Sequence, residues 1–155
     1  MAIREVGKAM GLSMDVDVLA FTGSGVTGRW LMEYAARSNM KRVYLELGGK
    51  SPNIVFANAP DLNEAAKVAA GGIFRNSGQV CVAGSRLLVE ASIHDDFVAA
   101  VAKAAEAIRV GDPLKVDTQI GAINSEAQLN ANLGFVDTAI AEGGRVTPVT
   151  IVGAM

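Results

Sequence analysis

The stretch VDVLAFTGSGVTGRWLMEYAARSNMKRVYLEL, residues 16–47, decides the fold. It opens with Val16 to Thr22, a short apolar run rich in β-formers that stops at glycines, the pattern of a buried strand. Helical periodicity follows, carried by Trp30, Leu31, Tyr34 and Ala35. Arg42 to Leu47 then alternates with period two, Val43 and Leu45 opposing Tyr44 and Glu46. Strand, crossover helix and strand make a βαβ unit, so the two strands are expected to run parallel.

Upstream, Ile3, Val6 and Met10 stand at near-helical spacing, and Gly11 is placed to end that helix. Downstream of Gly48-Gly49 a second run of elements begins. Ile54 to Phe56 reads as a short strand. Asp61 with Glu64 forms a capping box ahead of an apolar stripe of Leu62, Ala65, Ala66, Ala69 and Ile73. Leu87 to Val89 is strand-like. Ser92 is placed to cap a long helix bearing Phe97, Val98, Val101, Ala105 and Ile108 on one face, with Asp95 and Asp96 near its positive end. Gly111-Asp112-Pro113 interrupts the chain with turn residues. Ser125 and Gln128 open a last helix through Leu129, Leu133, Val136 and Ile140, which Gly143-Gly144 ends. Arg145 to Met155 is β-rich.

Composition narrows the functional classes. Half of the 155 residues are hydrophobic, enough for a packed core. Fourteen basic against sixteen acidic residues leave a net charge of −2, with no basic run or basic-aromatic interleaving to hold nucleic acid. Apolar stretches break well before the length of a membrane span, and the N-terminus lacks an apolar signal core. One cysteine excludes an internal disulfide and fits a reducing compartment, so a cytoplasmic location is expected.

Three segments carry candidate chemistry. Gly23-Ser24-Gly25-Val26-Thr27-Gly28 satisfies G-x-G-x-x-G between a strand and a helix, where backbone N–H groups suit a pyrophosphate. Glu46 falls near the place of the ribose-binding acid, about 20 residues on. The glycines equally fit close packing of helix on strand. Leu45 to Asn53 (LELGGKSPN) puts a carboxylate at a strand end before two glycines that allow close backbone approach. Phe74 to Ser85 (FRNSGQVCVAGS) holds the lone Cys81 between valines. A thiol in that setting reads either as a small buried apolar residue or, bracketed by Gly78 and Gly84, as an exposed nucleophile.

Taken together, these segments resemble the aldehyde dehydrogenase superfamily in order and spacing, over Gly11 to Gly143. The resemblance implies an α/β fold: a parallel βαβ remnant of a Rossmann-like NAD(P)-binding domain over residues 1–47, followed over 48–155 by the first part of an α/β catalytic domain. It implies Cys81 as nucleophile, giving a thiohemiacetal and then a thioester, and Glu46 as the base that activates the hydrolytic water. Gly25 stands where the family usually has another residue. Gly23, Ser24 and Gly28 are therefore the loop residues carried over for NAD or NADP, with Leu47 beside Glu46. No metal is implied. The backbone N–H of Cys81 is an expected oxyanion donor. The wording around Arg42 to Asp61, including Ala59-Pro60-Asp61, is most similar to enzymes handling amino- or glutamylamino-aldehydes.

The departures are equally specific. Family members are about three times this length. The upstream Pro-Trp-Asn segment, the downstream Glu-x-Phe-Gly-Pro motif and the late oligomerisation strand have no counterpart in these 155 residues. Beyond Gly144 the resemblance fades. A truncated piece is the expectation, with little activity alone, bare apolar faces, and association with itself or with a full-length homologue. A non-catalytic nucleotide-binding or interaction module is the alternative.

Overall fold

The computed structural model describes residues 2–147. The chain divides into two compact units, Met1–Gly49 and Lys50–Met155.

In the first unit the elements are helix α1 (Ala2–Leu12), strand β1 (Val18–Gly23), helix α2 (Gly25–Ala36) and strand β2 (Arg42–Leu47). β1 and β2 pair in parallel from Val18↔Arg42 to Gly23↔Leu47, as the βαβ reading requires. Val43, Leu45 and Leu47 are half-buried while Tyr44 and Glu46 are exposed, which is the expected alternation. Leu19, Leu31 and Ala35 form the buried interior of this unit.

Gly11 corrects one expectation. It does not end α1, which continues to Leu12. A Cβ on Gly11 would lie 2.7 Å from Tyr34 Cβ, so the glycine lets α1 lie against α2. The end of α1 is instead held by Lys41, 7% exposed, whose Nζ donates to Gly11 O, Ser13 O and Ser38 Oγ at 2.7, 2.8 and 2.8 Å. All three ammonium protons are thereby used, at the helix end that favours a cation.

The second unit contains strand β3 (Pro52–Val55), helix α3 (Leu62–Phe74), strand β4 (Arg86–Val89) and helices α4 (His94–Glu106) and α5 (Glu126–Ala141). β3 and β4 pair in parallel from Pro52↔Arg86 to Val55↔Val89. Val55, Ala66, Ala69 and Phe97 form the core, flanked by Leu62, Leu87, Val89 and Val101. Asp61 caps α3, accepting from the N–H groups of Asn63 and Glu64. The reciprocal arm of the capping box is diverted, since Glu64 accepts from Lys67 instead.

Ser92 does not cap α4. It sits inside a single 3-10 turn, Ala91–Ile93, and its hydroxyl donates to Glu90. Ile93 takes the cap position without a side-chain bond, leaving Asp95 and Asp96 to complement the helix dipole. Ser125 caps α5 through the N–H of Gln128. Gly143, at φ 90°, and Gly144 close that helix by donating to Ile140 O and Ala139 O, a Schellman ending. The stripe of Leu129, Leu133, Val136 and Ile140 is present but uncovered, and α5 buries no residue among those described. Apart from Arg145, Val146 and Thr147, which form no strand, the β-rich end lies outside the described residues.

Two outcomes test this packing. Phe97→Ala removes the largest core side chain and is expected to lower unfolding free energy by about 3–5 kcal/mol in urea titrations. Glu90 accepts from the backbone N–H of Ala57 and from the Ser92 hydroxyl, which holds its carboxyl below the ordinary glutamate range. Stability from this group is therefore present above the unfolded-state pKa and lost as pH falls through the lowered folded one. NMR titration should find that lowered value, and Glu90→Gln should remove its share of the acid-side loss.

Candidate active site

The loop between β1 and α2 is built by Ser24. In an extended conformation it caps the helix: its Oγ accepts from the N–H of Thr27 at 3.3 Å and donates to Thr27 Oγ1 at 3.1 Å. The first helical bond runs from Gly28 N to Ser24 O. Gly25 and Val26, ahead of that bond, direct their N–H groups out of the helix start, where the dipole is positive.

The glycines do different work. A Cβ at Gly25 would meet nothing within 4 Å, so this position has room for a side chain. A Cβ at the buried Gly28 would stand 3.2 Å from Leu47 Cδ2 and 3.3 Å from Leu45 Cδ1. Gly28 therefore sets how closely α2 lies on β2. Gly23 is paired in register with Leu47, and Thr22 with Glu46. The structure thus gathers Gly23, Ser24, Gly28, Glu46 and Leu47 at one end of the β1–β2 pair. Leu47 packs under Gly28, whereas Glu46 lies on the exposed face.

Cys81 stands in the second unit, and its thiol is exposed. The buried-thiol alternative is thereby excluded. Its placement starts where α3 ends. Arg75–Gly78 forms a 3-10 turn in which Asn76, Ser77 and Gly78 all adopt positive φ, at 53°, 56° and 73°. Only glycine takes this region freely, and asparagine tolerates it better than most. Asn76 Nδ2 donates to Gln79 O and Gln79 N to Asn76 O, which closes the turn on itself. Ala83 N then donates to Val80 O, so Cys81 and Val82 occupy the tip of a second turn. Among the described residues the backbone N–H of Cys81 has no partner. Gly84 lets this tip approach β3, for a Cβ there would lie 3.2 Å from Asn53 Cβ. Cys81 and Glu46 belong to different units.

Two features have no signature in the local sequence. Ser77 Oγ donates to Gly121 O at 3.0 Å, a link that no local pattern announces. A cavity of about 710 Å³ lies between α3 and α4, with Ala70 and Ile120 in its wall and Lys67, Arg75 and Lys103 around it. The Asn76-Ser77-Gly78 turn was not among the expectations, although asparagine and glycine, the residues that best tolerate positive φ, were a local signal for it.

The aldehyde dehydrogenase family model matches residues 2–149. The chain belongs to the aldehyde dehydrogenase family. It is 47% identical over 139 residues to the NADP/NAD-dependent aldehyde dehydrogenase PuuC of Escherichia coli, covering 90% of this chain and 28% of that one. Among solved structures, the γ-glutamyl-γ-aminobutyraldehyde dehydrogenase of Burkholderia cenocepacia superposes with a TM-score of 0.85 at 50% identity, covering 87% of this chain and 27% of its own. The indole-3-acetaldehyde dehydrogenase AldA of P. syringae, in complex with NAD+ and IAA, superposes with a TM-score of 0.90 at 50% identity, covering 92% and 29%. The chain thus spans 28% of the length of curated relatives such as PuuC. The likeness bears out the α/β expectation, and the two parallel strand pairs are consistent with a partial Rossmann-like domain. Among the described residues, no helix is long and apolar enough to cross a membrane.

The two glycines should respond oppositely to substitution. Gly25→Ala is expected to leave the melting temperature almost unchanged. Gly28→Val, forced against Leu45 and Leu47, should cost about 1–3 kcal/mol, read by thermal unfolding followed by circular dichroism.

Proposed function

We propose that this chain carries the nucleophile and the base of an NAD(P)+-dependent oxidation of aldehydes to carboxylic acids. The observation that supports this most is the exposed thiol of Cys81 at the tip of a braced turn, within the family-matched segment. The Cys81 thiolate adds to the aldehyde carbon, forming a C–S bond and moving negative charge to the carbonyl oxygen. The unpartnered N–H of Cys81 is a fitting donor to that oxyanion. NAD(P)+, when bound, supplies the acceptor for the hydride leaving the same carbon, and a thioester remains on Cys81. Glu46 takes a proton from water as the water oxygen attacks the thioester. The C–S bond breaks, the acid departs and the thiolate is restored.

For the cofactor, the start of α2 fits a phosphate. Gly25 and Val26 offer backbone N–H groups there, and no side chain at Gly25 obstructs them. Ser24 and Gly28 shape this loop, with Gly23 and Leu47 at the adjoining strand ends. Residues 1–47 are read as the C-terminal part of the cofactor domain and 48–155 as the N-terminal part of the catalytic domain. Amino- and glutamylamino-aldehydes are the first substrates to try, in keeping with the B. cenocepacia relative's name. A thiol that must stay reduced suits the cytoplasm. The uncovered stripe of α5 supports action together with further polypeptide, a second copy or a homologue. That stripe would serve equally in the interaction-module alternative.

The 155 residues alone are expected to oxidise little or no aldehyde, since the Pro-Trp-Asn and Glu-x-Phe-Gly-Pro motifs are not among them. Oxidation at ordinary enzyme rates would overturn that expectation. Placed in PuuC instead of its matching segment, residues 2–149 should support turnover. There Cys81→Ala should abolish activity, and Glu46→Gln should slow thioester hydrolysis by about 10²–10⁴-fold. An active Cys81→Ala chimera refutes the nucleophile assignment.

A further inference from the structure

We propose that Ser77 is a positioning residue for Cys81, holding the nucleophile's turn against the loop of residues 109–121; the inference rests on the nucleophile role proposed above. From Arg75 to Ala83 the chain reverses through three consecutive left-handed residues and then turns again at Cys81. Two of those three are not glycine, so the reversal needs support from outside itself. Within the run, Asn76 Nδ2 to Gln79 O, Gln79 N to Asn76 O and Ala83 N to Val80 O are all local bonds. Among the described residues, the hydrogen bond that ties the run to a distant part of the chain is Ser77 Oγ to Gly121 O.

The far anchor is firm. Gln119 N and Ile120 N both donate to Arg109 O, and Gly111 N donates to Ile120 O. Arg109 returns its backbone N–H to Gln119 Oε1 and its Nε to Asp117 O. Pro113 backs Gly121, where a Cβ would lie 3.3 Å from Pro113 Cβ. A short side chain thus joins a strained reversal to a cross-braced loop. Its bond goes to a carbonyl and not to the thiol, so it acts on where Cys81 is held. The oxyanion donor, the N–H of Cys81, is fixed by the same turn.

The test uses the 155-residue protein and p-nitrophenyl acetate. The thiolate takes the acetyl group as a new S–C bond forms, and p-nitrophenolate leaves; mass spectrometry locates the acetyl group on Cys81. Hydrogen exchange over residues 76–83 reports the turn. Ser77→Ala should speed that exchange and slow acetylation of Cys81, each by about two- to tenfold, the span of one net hydrogen bond. Ser77→Thr keeps the hydroxyl but puts a β-branched side chain at positive φ, so it should melt earlier while acetylating close to the parent rate. Acetylation that instead follows melting temperature across both variants overturns the proposal and leaves Ser77 merely structural. Normal acetylation and exchange in Ser77→Ala overturn it alone. A parent Cys81 that takes no acetyl group overturns the nucleophile role and this inference with it.

Discussion

Each unit depends on one constraint: two parallel strands joined through a helix that must lie close against its surroundings. Parallel strands cannot be joined by a tight turn, so the connection carries a helix, and the helix must bury its contact face. In the first unit that contact is Gly28 against Leu45 and Leu47. In the second it is Ala66 and Ala69 in a core with Val55 and Phe97. Small residues at these points bring backbone close to backbone, and the strand ends, where Gly23, Glu46 and Leu47 sit, take their places from that closeness.

The two candidate active segments are held by different physics. The loop before α2 is a capped helix start, ordered by Ser24 and left with outward N–H groups and a positive dipole. The Cys81 segment is a strained reversal, where three left-handed residues turn the end of α3 back and present the thiol at a tip. A helix start recognises charge without moving. The turn holds Cys81 exposed at its tip, which is what the proposed nucleophile role asks of a thiol.

The surfaces left open have the same origin. Both sheets have two strands, and Tyr44, Ile54 and Leu88 stand at least half exposed upon them. α5 carries an apolar stripe at good helical spacing and buries none of it among the described residues. Sheets of parallel strands are ordinarily covered on both faces. The chain spans 28% of PuuC's length, and among the described residues these strand faces carry no further layer.

Local pattern was a good guide wherever one interaction dominated. Period-two alternation marked β2, Asp61 and Ser125 capped where expected, and Gly143-Gly144 closed α5 through a glycine at positive φ. Gly11 and Ser92 misled because their signals had competitors: Tyr34 needed room beside Gly11, and Glu90 took the Ser92 hydroxyl. By itself the sequence determined the βαβ unit, the family likeness and the two candidate reactive side chains, since periodicity, caps and motifs are written in neighbouring residues. Tertiary structure alone decided that Cys81 is exposed, that Lys41 closes α1 from within, and that Ser77 reaches Gly121. Those outcomes depend on which distant carbonyl or side chain folding brings near, and no short window of residues contains that information.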